Sequence, residues 1–168
     1  MSEVLDCIKN RKSCRTFSQK YIKNNIIQEI VESAFKVPKS QAENFLHLFV
    51  LKNGKIIDDV FWFCPGMDKK PKLIMIIGAY KKFIKRDNYY SYLQLGCSLQ
   101  NILLSSYSYG LGSVPIGSAN LVGIKSYLDI DPQIDLKILI AIGFPKMPQN
   151  DLAVDFSKYR SNQNVNYF

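Results

Sequence analysis

The stretch "NYYSYLQLGCSLQNILLSSYSYG", residues 88 to 110, decides how the rest of the chain is read. Its apolar side chains fall on most of a helical circumference, so the spacing predicts a helix roughly 30 Å long at 1.5 Å per residue. A helix that apolar must be central or lie at a subunit interface. Gly110 fits its C-terminal stop. Immediately after it, "LGSVPIGS" (111 to 118) reads as a short strand or loop, followed by a second helix in "NLVGIKSYLDI" and a buried strand in "IDLKILIAIGFP".

Working back toward the N-terminus, "PKLIMIIGAY" (71 to 80) is a continuous apolar run, as for a strand covered on both faces. "FLHLFVLK" alternates like a strand, and "NG" at 53 and 54 reads as the turn that ends it. "IIDDVFWF" is too short to assign. "NNIIQEIVESAFKV" (24 to 37) places Ile26, Ile27, Ile30, Val31, Ala34 and Phe35 on one stripe, with Asn24 or Asn25 as cap and Pro38 as stop. "EVLDCIKN" (3 to 10) forms a first amphipathic helix. Helices alternating with about four apolar strands imply an α+β or α/β layered fold in one domain of 168 residues. Residues 146–168 read as a C-terminal tail.

Composition excludes several classes. Apolar content is 47% and charged content 21%, ordinary globular values. No N-terminal apolar h-region marks a secretory signal, and no apolar run is long enough to span a bilayer, so the expectation is a cytoplasmic protein without a membrane partner. The net charge of +8 invites nucleic acid, but the basic residues are spread along the chain and no zinc-finger, helix-turn-helix or aromatic RNA-binding motif accompanies them. Cys7, Cys14, Cys64 and Cys97 form no CxxC pair, and the acidic residues show no metal-loop spacing, so no metal site is expected. Cys14 stands out because neighbouring cations lower a thiol pKa. The single histidine, His47, lies in a strand-like run and is read as structural. If the protein is an enzyme, a bound cofactor carries its hard chemistry.

The remaining feature is "NRKSCRTF" (10 to 17), which gathers Arg11, Lys12 and Arg15 around Ser13. Like charges so close need solvent or an anion. In an extended segment alternate side chains share a face, so Arg11, Ser13 and Arg15 point one way, Lys12 and Cys14 the other.

Taken in order, "NRKSCRTF", "VPKSQAENFLHLFVL", "LGCSLQNILLSSYSYGLGSVPIGS" and "ILIAIGFP" resemble the nitroreductase-like flavoprotein family, over about residues 3 to 160. The resemblance implies a mixed central sheet of about four to five strands flanked by helices, an intertwined homodimer, and FMN at the subunit interface. It implies NADH or NADPH as electron donor and a nitroaromatic, quinone or related small acceptor, reduced by a ping-pong mechanism. Arg11 and Ser13 match the positions that hold the FMN phosphate, with Lys12 beside them, and Arg15 matches the cation near flavin N1. Pro115, Ile116, Gly117 and Ser118 match the segment whose amides face flavin N5 and O4. Lys158 and Arg160 match a C-terminal Lys-x-Arg element that reaches the same phosphate, on a tail that could extend onto the partner. Ser40 is retained in the loop before the first strand. Ala42, however, stands where the family usually has asparagine, and Phe45-Leu46 replaces Pro-Trp, so that loop's contact with the flavin ring is left open. The roughly 20 residues between the first two strands are also fewer than usual, which implies a more open or differently lidded pocket. No catalytic side chain is expected. Other readings are a flavin-binding relative with another chemistry, such as dehalogenation or flavin cleavage, and a non-enzymatic basic protein that binds flavin or nucleic acid.

Overall fold

The computed structural model of the chain describes residues 3–39, 45–84 and 89–147. In order, the elements are α1 (Glu3–Asn10), α2 (Asn24–Phe35), β1 (Leu46–Leu51), α3 (Gly54–Phe61), β2 (Leu73–Tyr80), α4 (Tyr89–Ser108), β3 (Gly112–Ile116), α5 (Leu121–Tyr127) and β4 (Ile134–Gly143), with one 3-10 turn at Lys81–Phe83. The four strands form a sheet of order β1-β2-β4-β3, and every neighbouring pair is antiparallel. Among the described residues, a parallel component enters only at the outer edge, through the isolated bridge Ser13↔Ser113.

The continuous apolar run of β2 is explained by two cores. Leu73, Met75, Ile77 and Ala79 face α2 and α4, where they meet Ile30, Ala34, Leu95 and Ile102. Ile74 and Ile76 face the other layer, with Ile57 and Val60 of α3 and Ile124 of α5. A strand between two helical layers has no polar face to present, so the alternation of a half-exposed strand disappears.

α4 stops as expected. Gly110 adopts φ +71, Gly110 N–H donates to Tyr107 O and Leu111 N–H to Ser106 O, the paired bonds of a Schellman cap. Two other terminus expectations are corrected. Asn24 is the first helical residue of α2 rather than its cap; Lys23 takes the cap position without a side-chain bond. Asn53-Gly54 opens a helix rather than forming a turn. Asn53 caps α3, its side-chain oxygen accepting from the N–H of Lys55 and Ile56, so the unassigned segment "IIDDVFWF" is mostly helix. His47 packs its ring edge-on to Tyr80 at 4.4 Å, a structural contact.

Among the described residues, nothing covers α4 all round. It buries Ser91, Gln94, Leu95, Ser98, Ile102, Leu103 and Ser106. Tyr89, Tyr90, Tyr92 and Leu93 remain exposed, as do Val4, Leu5 and Ile8 on α1.

Candidate functional site

The charged segment after α1 is tied to the sheet at both ends. Ser13 bridges Ser113 of β3, and Cys14 N–H donates to Ser113 O at 3.1 Å. Further on, Phe17 bridges Pro145, Ser18 N–H donates to Phe144 O at 2.8 Å, and Lys146 N–H donates to Thr16 O at 3.1 Å. Two glycines make this lamination possible. A Cβ at Gly112 would lie 2.5 Å from Cys14 Cβ, and one at Gly143 would lie 2.9 Å from the Phe17 ring. Cys14 and Phe17 are therefore buried plugs, and the residues between them are held in fixed positions.

On this frame Arg11 is half-buried and Arg15 exposed. Arg11 Nη1 is enclosed and has no hydrogen-bond partner among the described residues. Burial lowers the Arg11 pKa, because desolvation penalises the charged form. An enclosed guanidinium nitrogen without an acceptor is costly, and an anion placed there offsets that cost. Ser113 adds a second unsatisfied group, its Oγ buried and unpartnered next to Ser13. An enclosed donor such as Arg11 Nη1 fits an anion, and a phosphate is the part of FMN that the Arg11 and Ser13 positions are expected to hold.

Cys14 departs from expectation. Its thiol is pushed up, not down: burial dominates, and the Sγ–H donates to Thr16 O at 3.2 Å. Its neighbouring cations are partly solvated and do not overcome desolvation, so Cys14 is a packing residue.

Pro115 and Ile116 end β3, in register with Ile140 and Leu139, and Gly117 and Ser118 form the exposed turn beyond. That turn is backed by a segment sequence reading did not single out. A Cβ at Gly66 would meet Ser118 Oγ at 2.6 Å, and Asn120 N–H donates to Phe63 O at 2.8 Å. The only sequence signal for it was the turn-forming "CPGM" at 64 to 67. Lys12 is half-buried within the segment. Ser40, Lys158 and Arg160 lie outside the described residues.

A four-stranded antiparallel sheet between helical layers, with an arginine segment laminated onto its edge strand, defines a nitroreductase-type α+β fold. The family model described as "Putative TM nitroreductase" matches residues 3–164, and the chain belongs to that family. It is 25% identical over 148 residues to a "Putative NADH dehydrogenase/NAD(P)H nitroreductase" of Methanothermobacter thermautotrophicus, covering 85% of this chain and 78% of that protein. It is 24% identical over 154 residues to a protein of the same description from Archaeoglobus fulgidus, covering 87% of each. Among solved structures, a "putative nitroreductase in complex with fmn" from Desulfovibrio desulfuricans superposes with a TM-score of 0.83 at 17% identity, over 100% of this chain and 99% of that one. No helix among the described residues is long and apolar enough to cross a membrane.

Proposed function

We propose that this chain is an FMN-dependent oxidoreductase, driven by NADH or NADPH, that reduces nitroaromatic, quinone or related small acceptors by two electrons. The observation that carries the reading is Arg11, whose enclosed Nη1 has no acceptor among the described residues, close in sequence to Ser13 on a segment fixed to the sheet edge. Arg11 gives the phosphate a charge-assisted and geometrically fixed contact, and the Ser13 hydroxyl donates one more bond. Lys12 adds positive potential, and Lys158 and Arg160 are proposed as further phosphate contacts. Arg15, two residues along and solvated, supplies a cation toward the reduced flavin. The amides of Gly117 and Ser118 are the donors for the ring, held in place by Pro115 and Ile116 on one side and Gly66 on the other; Ser40 is proposed as a further contact. Bound there, FMN supplies two-electron redox chemistry between the nicotinamide donor and the acceptor.

The exposed apolar residues of α1 and those at the start of α4 are surfaces that a second copy would bury, making the protein a homodimer. A reduced-nicotinamide donor places its work in the cytoplasm. The test is the visible absorption spectrum of the purified protein, followed by NADH and NADPH oxidation under air with and without a nitroaromatic. A flavin spectrum and acceptor-stimulated oxidation are expected. Colourless protein that takes up no FMN overturns the reading.

A further inference from the structure

A cavity of about 510 Å³ opens between the start of α2, the start of α3 and the segment that leads into β2. Its floor is apolar, built from the buried Ile22, Ile27, Ile57 and Pro71. Tyr21, two-thirds exposed, stands beside that floor. The charged lining is one-sided: Lys52, Lys70 and Lys72 against Asp58 alone.

That single carboxylate is already taken, since Lys70 Nζ lies 2.7 Å from Asp58 Oδ1. Lys52 Nζ donates to a neutral oxygen, Asn24 Oδ1, at 3.3 Å. Lys72 is exposed and makes no hydrogen bond or ion pair among the described residues. Two cations thus border an apolar floor with no counter-charge of their own among the described residues. The volume falls in the range of small-molecule sites, roughly 300–1,000 Å³.

We propose that this cavity binds a small aromatic carboxylate, its ring on the isoleucine floor against Tyr21 and its acid group at Lys52 and Lys72. The chemistry favours an aromatic acid over a phosphate: the apolar floor beside Tyr21 suits a ring, and the lysines act as point charges without the arginine fork that matches phosphate. The proposal is independent of the flavin reading, because no residue it uses belongs to the Arg11–Ser13 or Pro115–Ser118 sites.

The test titrates 1-naphthoate, and separately the neutral 1-naphthamide, into the full chain as purified. Binding is followed by NMR of labelled isoleucine methyls. Saturable shifts at Ile22, Ile27 and Ile57 are expected at ligand concentrations on the order of 1 mM. The amide, and naphthoate with the Lys52→Gln/Lys72→Gln double variant, should each bind roughly tenfold more weakly. Both lysines are exposed, so the double variant keeps the fold, which its unperturbed methyl spectrum without ligand verifies. The proposal is overturned if those three methyls do not shift, if the amide binds as tightly as the acid, or if the double variant binds like the wild type.

Discussion

Gly112→Ala probes how the arginine segment is held. The new methyl would sit 2.5 Å from Cys14 Cβ and 2.7 Å from Cys14 Sγ, well inside the ordinary carbon contact distance of roughly 3.5–4.0 Å. Cys14 is 1% exposed and has nowhere to retreat except outward, which stretches its N–H bond to Ser113 O from 3.1 Å. Overpacking of this kind costs about 1–3 kcal/mol, and weakening the hydrogen bond adds about 0.5–1.5 kcal/mol. A total near 3 kcal/mol corresponds to a Tm loss of about 6–12 °C for a domain of this size. Thermal unfolding by circular dichroism measures it. Gly54→Ala is the control, because a Cβ there meets no atom within 4 Å, and its Tm should move by less than about 2 °C. The cause is isolated by repeating Gly112→Ala in a Cys14→Gly background, which removes both clashing atoms. There the substitution should cost less than about 1 kcal/mol, a coupling of about 2 kcal/mol. An equal cost in both backgrounds would refute the contact as the cause, and with it the account of how Ser13 is fixed beside Ser113.

Asn53→Ala removes the acceptor for two N–H groups at the start of α3 and should cost about 1 kcal/mol, read as a Tm loss of about 2–4 °C. Cys64 is buried and its thiol is pushed up to about 11 from an ordinary 9.0. Because its folded pKa is the higher one, the stability it contributes is intact below pH 9 and is lost as pH rises toward 11; urea midpoints should fall more over that interval in the wild type than in Cys64→Ala. Arg15→Gln should leave FMN bound but shift the flavin potential negative, since a cation near N1 favours the anionic reduced form; a spectroelectrochemical titration without that shift removes Arg15 from the role. Sedimentation at micromolar concentration should give twice the 19.3 kDa chain mass, and a flavin-bearing monomer would argue against an interface site.

Local signals carried most of the elements. Gly110 could be read as a helix stop because a positive φ at that point is a one-residue requirement. The apolar runs of β2 and β4 announced strands covered on both faces. Asn53-Gly54 misled because the Asn oxygen that organises a turn also caps a helix, and only the following eight residues decide between them. The strand order was not legible, since β4 inserts between β2 and β3 through pairings remote in sequence. At the site, charge density exposed Arg11, Ser13 and Arg15. Ser113 and Gly66 stayed hidden, because one is defined by an unpartnered buried oxygen and the other by a neighbour some fifty residues away. The same limit explains Cys14: its cationic neighbours are visible in the sequence, and the β3 glycine over which it is buried is not recognisable as its partner.

The most direct test of the central claim is a parallel titration of FMN and riboflavin into flavin-free wild type and Arg11→Ala. The two ligands share the ring and ribityl chain and differ in the phosphate, so the comparison isolates the contact assigned to the orphaned guanidinium nitrogen. The wild type should bind FMN more tightly than riboflavin. Arg11→Ala should weaken FMN by about tenfold to a hundredfold, as expected for a charge-assisted hydrogen bond, and leave riboflavin within about twofold. Equal weakening of both ligands, or wild-type FMN affinity in Arg11→Ala, would contradict the assignment of this segment as the phosphate site.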